Sequence, residues 1–176
     1  MAACRTVCRT MPTPTWRASR RGKGRRFALD TSGVALRAAV EWGGLELVKP
    51  SLNELELLVG RDLAEPAAQD AEAMALVRSG ATRLVALTLG RDGALLASTD
   101  GVLRMPAMDV PMQSSVGAGD AFLGATVLAL ARGASKRQAL GWGTAAGATV
   151  IACAGTARMR REDVERRYRE LMGVPE

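Results

Sequence analysis

SSVGAGDAFLGATVLALARG, residues 114–133, gathers small residues around one acid, Asp120, and then runs into a helical pattern that ends at Gly133. Glycines let a backbone approach a ligand closely and expose successive N–H groups. The first N–H groups of a helix have no partner inside the helix. Loop and helix start together form an anion hole, which the helix dipole strengthens, and phosphate is its natural guest. A carboxylate beside bound phosphate is repulsive unless it has work to do. The useful work is to take the proton of a hydroxyl that attacks phosphorus. Gly117, Ala118, Gly119 and Asp120 thus point to phosphoryl transfer to an alcohol. The plain alternative is a tight turn into a helix, because Asp is favoured at helix starts. The stretch is not a Walker A loop, since no GK[ST] follows, and its glycines are misspaced for GxGxxG.

Outward from this helix, helical and strand patterns alternate. GVALRAAVEW (33–42) has apolar residues at helical spacing and stops at Gly43-Gly44, and LELV (45–48) reads as a short strand ended by Pro50. SLNELELLVG (51–60) predicts a helix closed by Gly60, and Pro66 suits the first turn of another over 66–79. RLVALTL (83–89) is a continuous apolar run, as in a strand buried on both faces. ALLAS (94–98) and VLRMP (102–106) flank Asp100-Gly101, a hairpin turn signal. The spacing predicts further helices over about 118–132, from Ser135 with a capping-box Gln138, and over about 160–172. This β-α order predicts a layered α/β fold with a mostly parallel sheet.

The 176 residues suffice for one domain with a sizeable core, built mainly from Leu, Val, Ala and Met because aromatics make up only 3%. The net charge of +6 sits in one place. Residues 1–29 hold eight basic residues and no acid, which leaves 16 basic against 18 acidic residues in the rest. Residues 1–28 read as a solvated, disordered leader, residues 29–173 as the domain and 174–176 as a tail. The leader is Arg-rich and acid-free, like an organelle transit peptide, and lacks the apolar segment of a secretory signal. Residues fused ahead of a real domain would look the same. Such a tail could attract phosphate-rich partners, but no aromatic interleaving or binding motif accompanies it, so nucleic acid is not expected. No apolar run approaches the roughly 20 residues that span a bilayer, so no membrane partner is expected. The three cysteines, Cys4, Cys8 and Cys153, make no disulfide framework. The absence of His excludes Ser-His-Asp and Cys-His catalysis.

Two more stretches join the glycine loop. TLGRDGALL (88–96) leaves a buried strand through Gly90 and Gly93, and ligands in α/β sheets sit at such strand ends. VKPSLNELELL (48–58) places Lys49 at another strand end and Glu54 in the next helix. Lysine can hold phosphate and glutamate can hold Mg²⁺, often through water. Taken singly, Lys49 is equally a surface residue and Glu54 a solvated helix position.

DTSGVAL (30–36), VKPSLNELELLVGRDL (48–63), TLGRDGALL, SSVGAGDAF (114–122) and AAGATVIACAGT (145–156) resemble, in this order, motifs of the PfkB family of ribokinase-like sugar kinases. The resemblance covers about residues 29–173. It implies a ribokinase-like three-layer α/β/α fold with a mostly parallel sheet, lacking the N-terminal half and lid. It implies ATP-dependent phosphorylation of a sugar or sugar phosphate hydroxyl, with fructose 6-phosphate the foremost substrate, in the cytoplasm. Asp120 would be the catalytic base, and Gly117, Ala118 and Gly119 the anion hole. Lys49 and Ser51 would meet ATP phosphates, and Thr88, Leu89, Gly90, Arg91, Asp92 and Gly93 would line the nucleotide site. Glu54 would organise Mg²⁺. Ser114, Val116, Val150, Cys153, Gly155 and Ala157 match positions that bind a monovalent cation such as K⁺, largely through carbonyls. Family members commonly form homodimers through the lid. Two departures stand out: Ser51 replaces the Asn of KPN-x-x-E, and the sugar-binding half is absent. Two other readings stay open: a truncated, inactive nucleotide-binding remnant, and a basic-tail nucleic-acid binder on a kinase scaffold.

Overall fold

The computed structural model describes residues 26–153 and 159–174. Most of the expected leader, residues 154–158 and the last two residues lie outside them. Five strands form one mixed sheet in the order β1-β2-β3-β4-β5. These are β1 (Ala28–Leu29), β2 (Leu45–Val48), β3 (Thr82–Thr88), β4 (Ala94–Ser98) and β5 (Gly101–Met105). β1, β2 and β3 run parallel, and β4 and β5 complete the sheet as an antiparallel hairpin. Six α-helices cover it: α1 (Gly33–Trp42), α2 (Leu52–Val59), α3 (Pro66–Arg78), α4 (Ala118–Ala131), α5 (Lys136–Ala152) and α6 (Arg161–Met172).

Period-two alternation in the central strands divides the core into two. Val85 and Leu87 of β3 face Leu36, Leu55, Leu76 and Val77 from α1, α2 and α3. Leu84 and Ala86 face the other way, toward Phe122 of α4 and Leu140 of α5. Burial on both faces is why β3 reads as an unbroken apolar run rather than an alternating one. The three-layer α/β/α arrangement follows. The expected capping box forms at the start of α5: Ser135 Oγ accepts from the Gln138 N–H, and Gln138 Oε1 accepts from the Ser135 N–H.

Two boundaries differ from expectation. β1 has only two residues, too few to carry a period, and the sequence shows no strand there. The Phe27 carbonyl accepts from Glu46 N–H at 2.9 Å and Leu47 N–H at 3.2 Å, so Phe27 and Ala28, inside the stretch read as leader, pair with β2. In the hairpin, Ser98 pairs with Gly101, so the turn residues are Thr99 and Asp100 and Gly101 opens β5. Asp100 N–H donates to Ser98 Oγ and its carboxylate meets Lys136, contacts that hold Asp100 in the turn.

Candidate active site

Parallel strands bring their carboxyl ends to one edge of the sheet. β1 delivers Asp30 there, β2 delivers Lys49, and β3 delivers Thr88. Lys49 N–H donates to the Leu29 carbonyl at 3.0 Å, and Thr88 N–H donates to the Pro50 carbonyl at 3.1 Å, so the exits are stitched together. Ser51 and Thr88 add an isolated parallel bridge. The Lys49 side chain is 7% exposed, and its Nζ lies 3.1 Å from Asp30 Oδ2.

The loop after β3 turns through one 3₁₀ turn, Gly90–Asp92, and returns with Leu89 N–H donating to the Gly93 carbonyl at 2.8 Å. Gly93 is the residue this return requires. Its φ is +93°, and a Cβ there would lie 2.1 Å from the Met105 carbonyl oxygen. Gly90 and Gly93 reach the site, whereas Arg91 and Asp92 are exposed and do not line its cavity.

Helix α4 starts above this edge. Gly117 is its N-cap, in the left-handed region. Ala118 N–H donates to the Ser115 carbonyl at 3.2 Å and Ala121 N–H to the Gly117 carbonyl at 2.9 Å. Between them, the N–H groups of Gly119 and Asp120 have no acceptor among the described residues. The ammonium of Lys49 sits close by, 3.3 Å from the position a Cβ on Gly119 would occupy. Two free N–H groups, a helix N-terminus and a buried ammonium therefore converge where the sequence predicts an anion hole. Asp120, in the first turn, is exposed.

A cavity of about 470 Å³ opens beside them, within the range of small-molecule sites. Its wall takes Ser51 and Leu52 from the β2 exit, Thr88, Leu89, Gly90 and Gly93 from the β3 exit, and Ala118, Gly119 and Phe122 from α4. The far wall is one face of α5: Thr144, Gly147, Ala148 and Ile151, spaced three and four residues apart. α5 can reach α4 because Gly143 and Gly147 face it. A Cβ on Gly143 would lie 2.2 Å from Thr126 Oγ1, and one on Gly147 would lie 3.4 Å from the Ala118 carbonyl oxygen.

Ser51 and Glu54 do more than the sequence suggests. Ser51 N–H donates to Glu54 Oε2 at 2.7 Å, and Glu54 N–H donates to Ser51 Oγ at 3.4 Å. They form a capping box at the start of α2. The S-x-x-E spacing was signal enough for it. One oxygen of Glu54 remains for other partners. A Mg²⁺ held by one carboxylate plus substrate phosphates suits that supply. No group of three His, Cys, Asp or Glu residues able to hold a metal occurs among the described residues.

The loop before α4 also meets the end of α5. Gln113 and Ser114 N–H groups donate to the Ile151 carbonyl at 2.8 and 3.3 Å, and Val116 N–H donates to Ser114 Oγ. Ser114, Val116, Val150 and Cys153 thus belong to neighbouring turns, with the Val150 carbonyl accepting from Cys153 N–H. Gly155 and Ala157 lie outside the described residues. Sequence reasoning missed Thr144, Gly147, Ala148 and Ile151 as a wall, although their helical spacing was readable, and missed Asp30 as the partner of Lys49.

A three-layer α/β/α fold thus brings three strand-end loops, a helix N-terminus and a cavity to one sheet edge, the place where open α/β sheets bind ligands. The chain belongs to the pfkB family of carbohydrate kinases, which it matches over residues 17–163. It is 38% identical over 149 residues to the ATP-dependent 6-phosphofructokinase isozyme 2 of Escherichia coli K12, covering 85% of this chain and 48% of that protein. It is 36% identical over 137 residues to the 1-phosphofructokinase of Haloferax volcanii, covering 73% and 45%. The crystal structure of E. coli phosphofructokinase-2 in complex with substrates and products superposes with a TM-score of 0.83 at 36% identity, over 89% of this chain and 50% of that one. The chain spans about half the length of these relatives. Among the described residues, no helix is long and apolar enough to cross a membrane.

Proposed function

We propose that this chain carries the phosphate-handling part of an ATP-dependent kinase that phosphorylates a sugar phosphate hydroxyl, converting fructose 6-phosphate to fructose 1,6-bisphosphate. The observation that carries the reading is the meeting of Lys49 Nζ with the start of α4, beside the cavity and next to an exposed Asp120. Nucleotide occupies the cavity, its phosphates toward Gly119. The phosphofructokinase names of two relatives favour a fructose phosphate as acceptor.

In this mechanism Asp120 accepts the proton of the attacking hydroxyl. The hydroxyl oxygen bonds to the terminal phosphorus, and the bond from that phosphorus to its bridging oxygen breaks. The N–H groups of Gly119 and Asp120, with Lys49, stabilise charge on the phosphoryl oxygens during transfer. Glu54 would hold Mg²⁺, whose charge would supply further neutralisation of the phosphates. Ser51 places Glu54 through the capping box. The turns at 114–116 and 150–153 offer carbonyls for a monovalent cation, which would reinforce the positive field at the start of α4.

The test is transfer from Mg-ATP to fructose 6-phosphate, with Asp120→Ala as control. Loss of the base lowers the rate by roughly 10²–10⁴-fold. Turnover that survives the substitution undamaged removes Asp120 from the mechanism. Ser51, standing where KPN-x-x-E has Asn, favours a second reading, a chain that binds nucleotide without turnover. It would be stabilised by ATP and inactive with either residue at position 120.

A further inference from the structure

Three threonines on α4 and α5 are buried, and they are treated differently. Thr126 Oγ1 donates to the Phe122 carbonyl at 2.8 Å. Thr149 Oγ1 donates to the Ala145 carbonyl at 2.7 Å. Both use the back-bond to the preceding turn that a helix offers a hydroxyl. Thr144 is 8% exposed, and its hydroxyl has no partner among the described residues. A buried, unpaired hydroxyl is costly, and its two neighbours show that a remedy lies within reach. Thr144 is also the one polar residue on the α5 face that walls the cavity, and Ala148 and Ile151 beside it, with Phe122, Leu89 and Met108 from other elements, give the cavity an apolar lining.

We propose that the Thr144 hydroxyl is a base-binding group that hydrogen-bonds the edge of the nucleotide base. The inference rests on the nucleotide reading given above. Position decides which part of the ligand it meets. Gly147 lies against the Ala118 carbonyl, at the phosphate end. Thr144 sits three residues earlier on α5, about 4.5 Å farther along the helix axis. Apolar residues flank it, as suits a flat aromatic base whose polar atoms lie on its edge. A hydroxyl both donates and accepts, so one rotation serves either kind of edge atom.

The experiment compares Thr144→Val, nearly identical in shape, with the unaltered chain. Two readouts are taken: the melting temperature without ligand, and the affinities for ATP and for dideoxy-ATP, whose sugar carries no hydroxyl. The expected result is a melting temperature equal to or a few degrees above the original, because an unpaired hydroxyl has been removed. ATP affinity should fall roughly threefold to tenfold, and dideoxy-ATP affinity should fall by the same factor. Equal ATP affinity in the two proteins overturns the assignment. So does a loss confined to ATP, which would move the contact to the sugar. A lowered melting temperature would make the hydroxyl a structural group and would also overturn it. If the unaltered chain is folded and binds neither nucleotide, the nucleotide reading itself fails and Thr144 falls with it.

Discussion

The seam between α4 and α5 positions the whole site, and Gly143 is its tightest point. In Gly143→Ala the added carbon would lie 2.2 Å from Thr126 Oγ1 and 3.0 Å from both Phe122 Cδ2 and the Phe122 carbonyl oxygen. The first distance falls about 1.2 Å short of ordinary contact. Rotating Thr126 relieves only that clash, and it breaks the bond to the Phe122 carbonyl. The carbonyl belongs to the α4 backbone and cannot rotate away, so the helices must separate. Overpacking of this kind costs about 1–3 kcal/mol, and losing the hydrogen bond about 1 more. Alanine's better helix propensity returns about 1 kcal/mol. The net loss is about 1–3 kcal/mol, or a melting temperature lower by roughly 2–12 °C. Gly124, on exposed α4 surface, is the internal control. A Cβ there meets nothing within 4 Å, so Gly124→Ala should raise stability by up to about 1 kcal/mol. Thermal and urea unfolding of both variants give the assay. A Gly143→Ala chain as stable as the original, or two variants shifting in the same direction, would refute the packing argument.

Ser51→Ala removes one half of the α2 capping box and should cost about 1 kcal/mol, while Ser51→Asn, which can cap equally, should keep the melting temperature. Equal losses in both would show that the hydroxyl does not act as a cap. The Asp100 carboxyl accepts a hydrogen bond from Lys136 at 2.6 Å, and that bond, aided by the lysine's charge, holds it below the usual aspartate range. A carboxyl depressed in the folded state gives stability that is present above its unfolded value near about 3.9 and lost as pH falls through the folded value. Asp100→Asn should therefore soften the loss of stability on acidification below about pH 4, less so in high salt. An acid limb as steep as the original's would exclude this pair as a contributor.

How much of the molecule could be read beforehand depended on whether the signal was local. The α5 capping box and the apolar run of β3 are local; the box stands where the sequence puts it, and the strand lies one residue earlier than the run, over Thr82–Thr88. β1 was invisible because two residues carry no period, and it exists only because β2 offers it an edge. The hairpin turn sits one residue earlier than its Asp-Gly signal, because Gly101 pairs with Ser98 and joins β5. Gly143 looked like an ordinary helix glycine, and only the approach of α4 explains it. GAGD was readable as a helix start, yet the commitment of Ala118 N–H to Ser115 was not, since it depends on how the loop bends.

The charge balance of the site illustrates the same divide. Asp30, Lys49 and Gly119 are far apart in sequence, and the parallel strands and α4 bring them to one point. A buried ammonium beside the positive end of a helix is unfavourable by itself, through desolvation and through like charge. Asp30, at 3.1 Å, offsets the ammonium. It does not offset the helix end, which carries roughly half a positive charge. With Asp120 in the first turn as well, the formal charges here do not sum to a positive field, so a phosphate group would be held by direct donation from Lys49 and the free N–H groups rather than by net charge, without Asp30 having to leave. Asp30 can then serve as a fixed brace that holds Lys49 extended toward Gly119, so that little side-chain entropy remains to be lost when an anion binds.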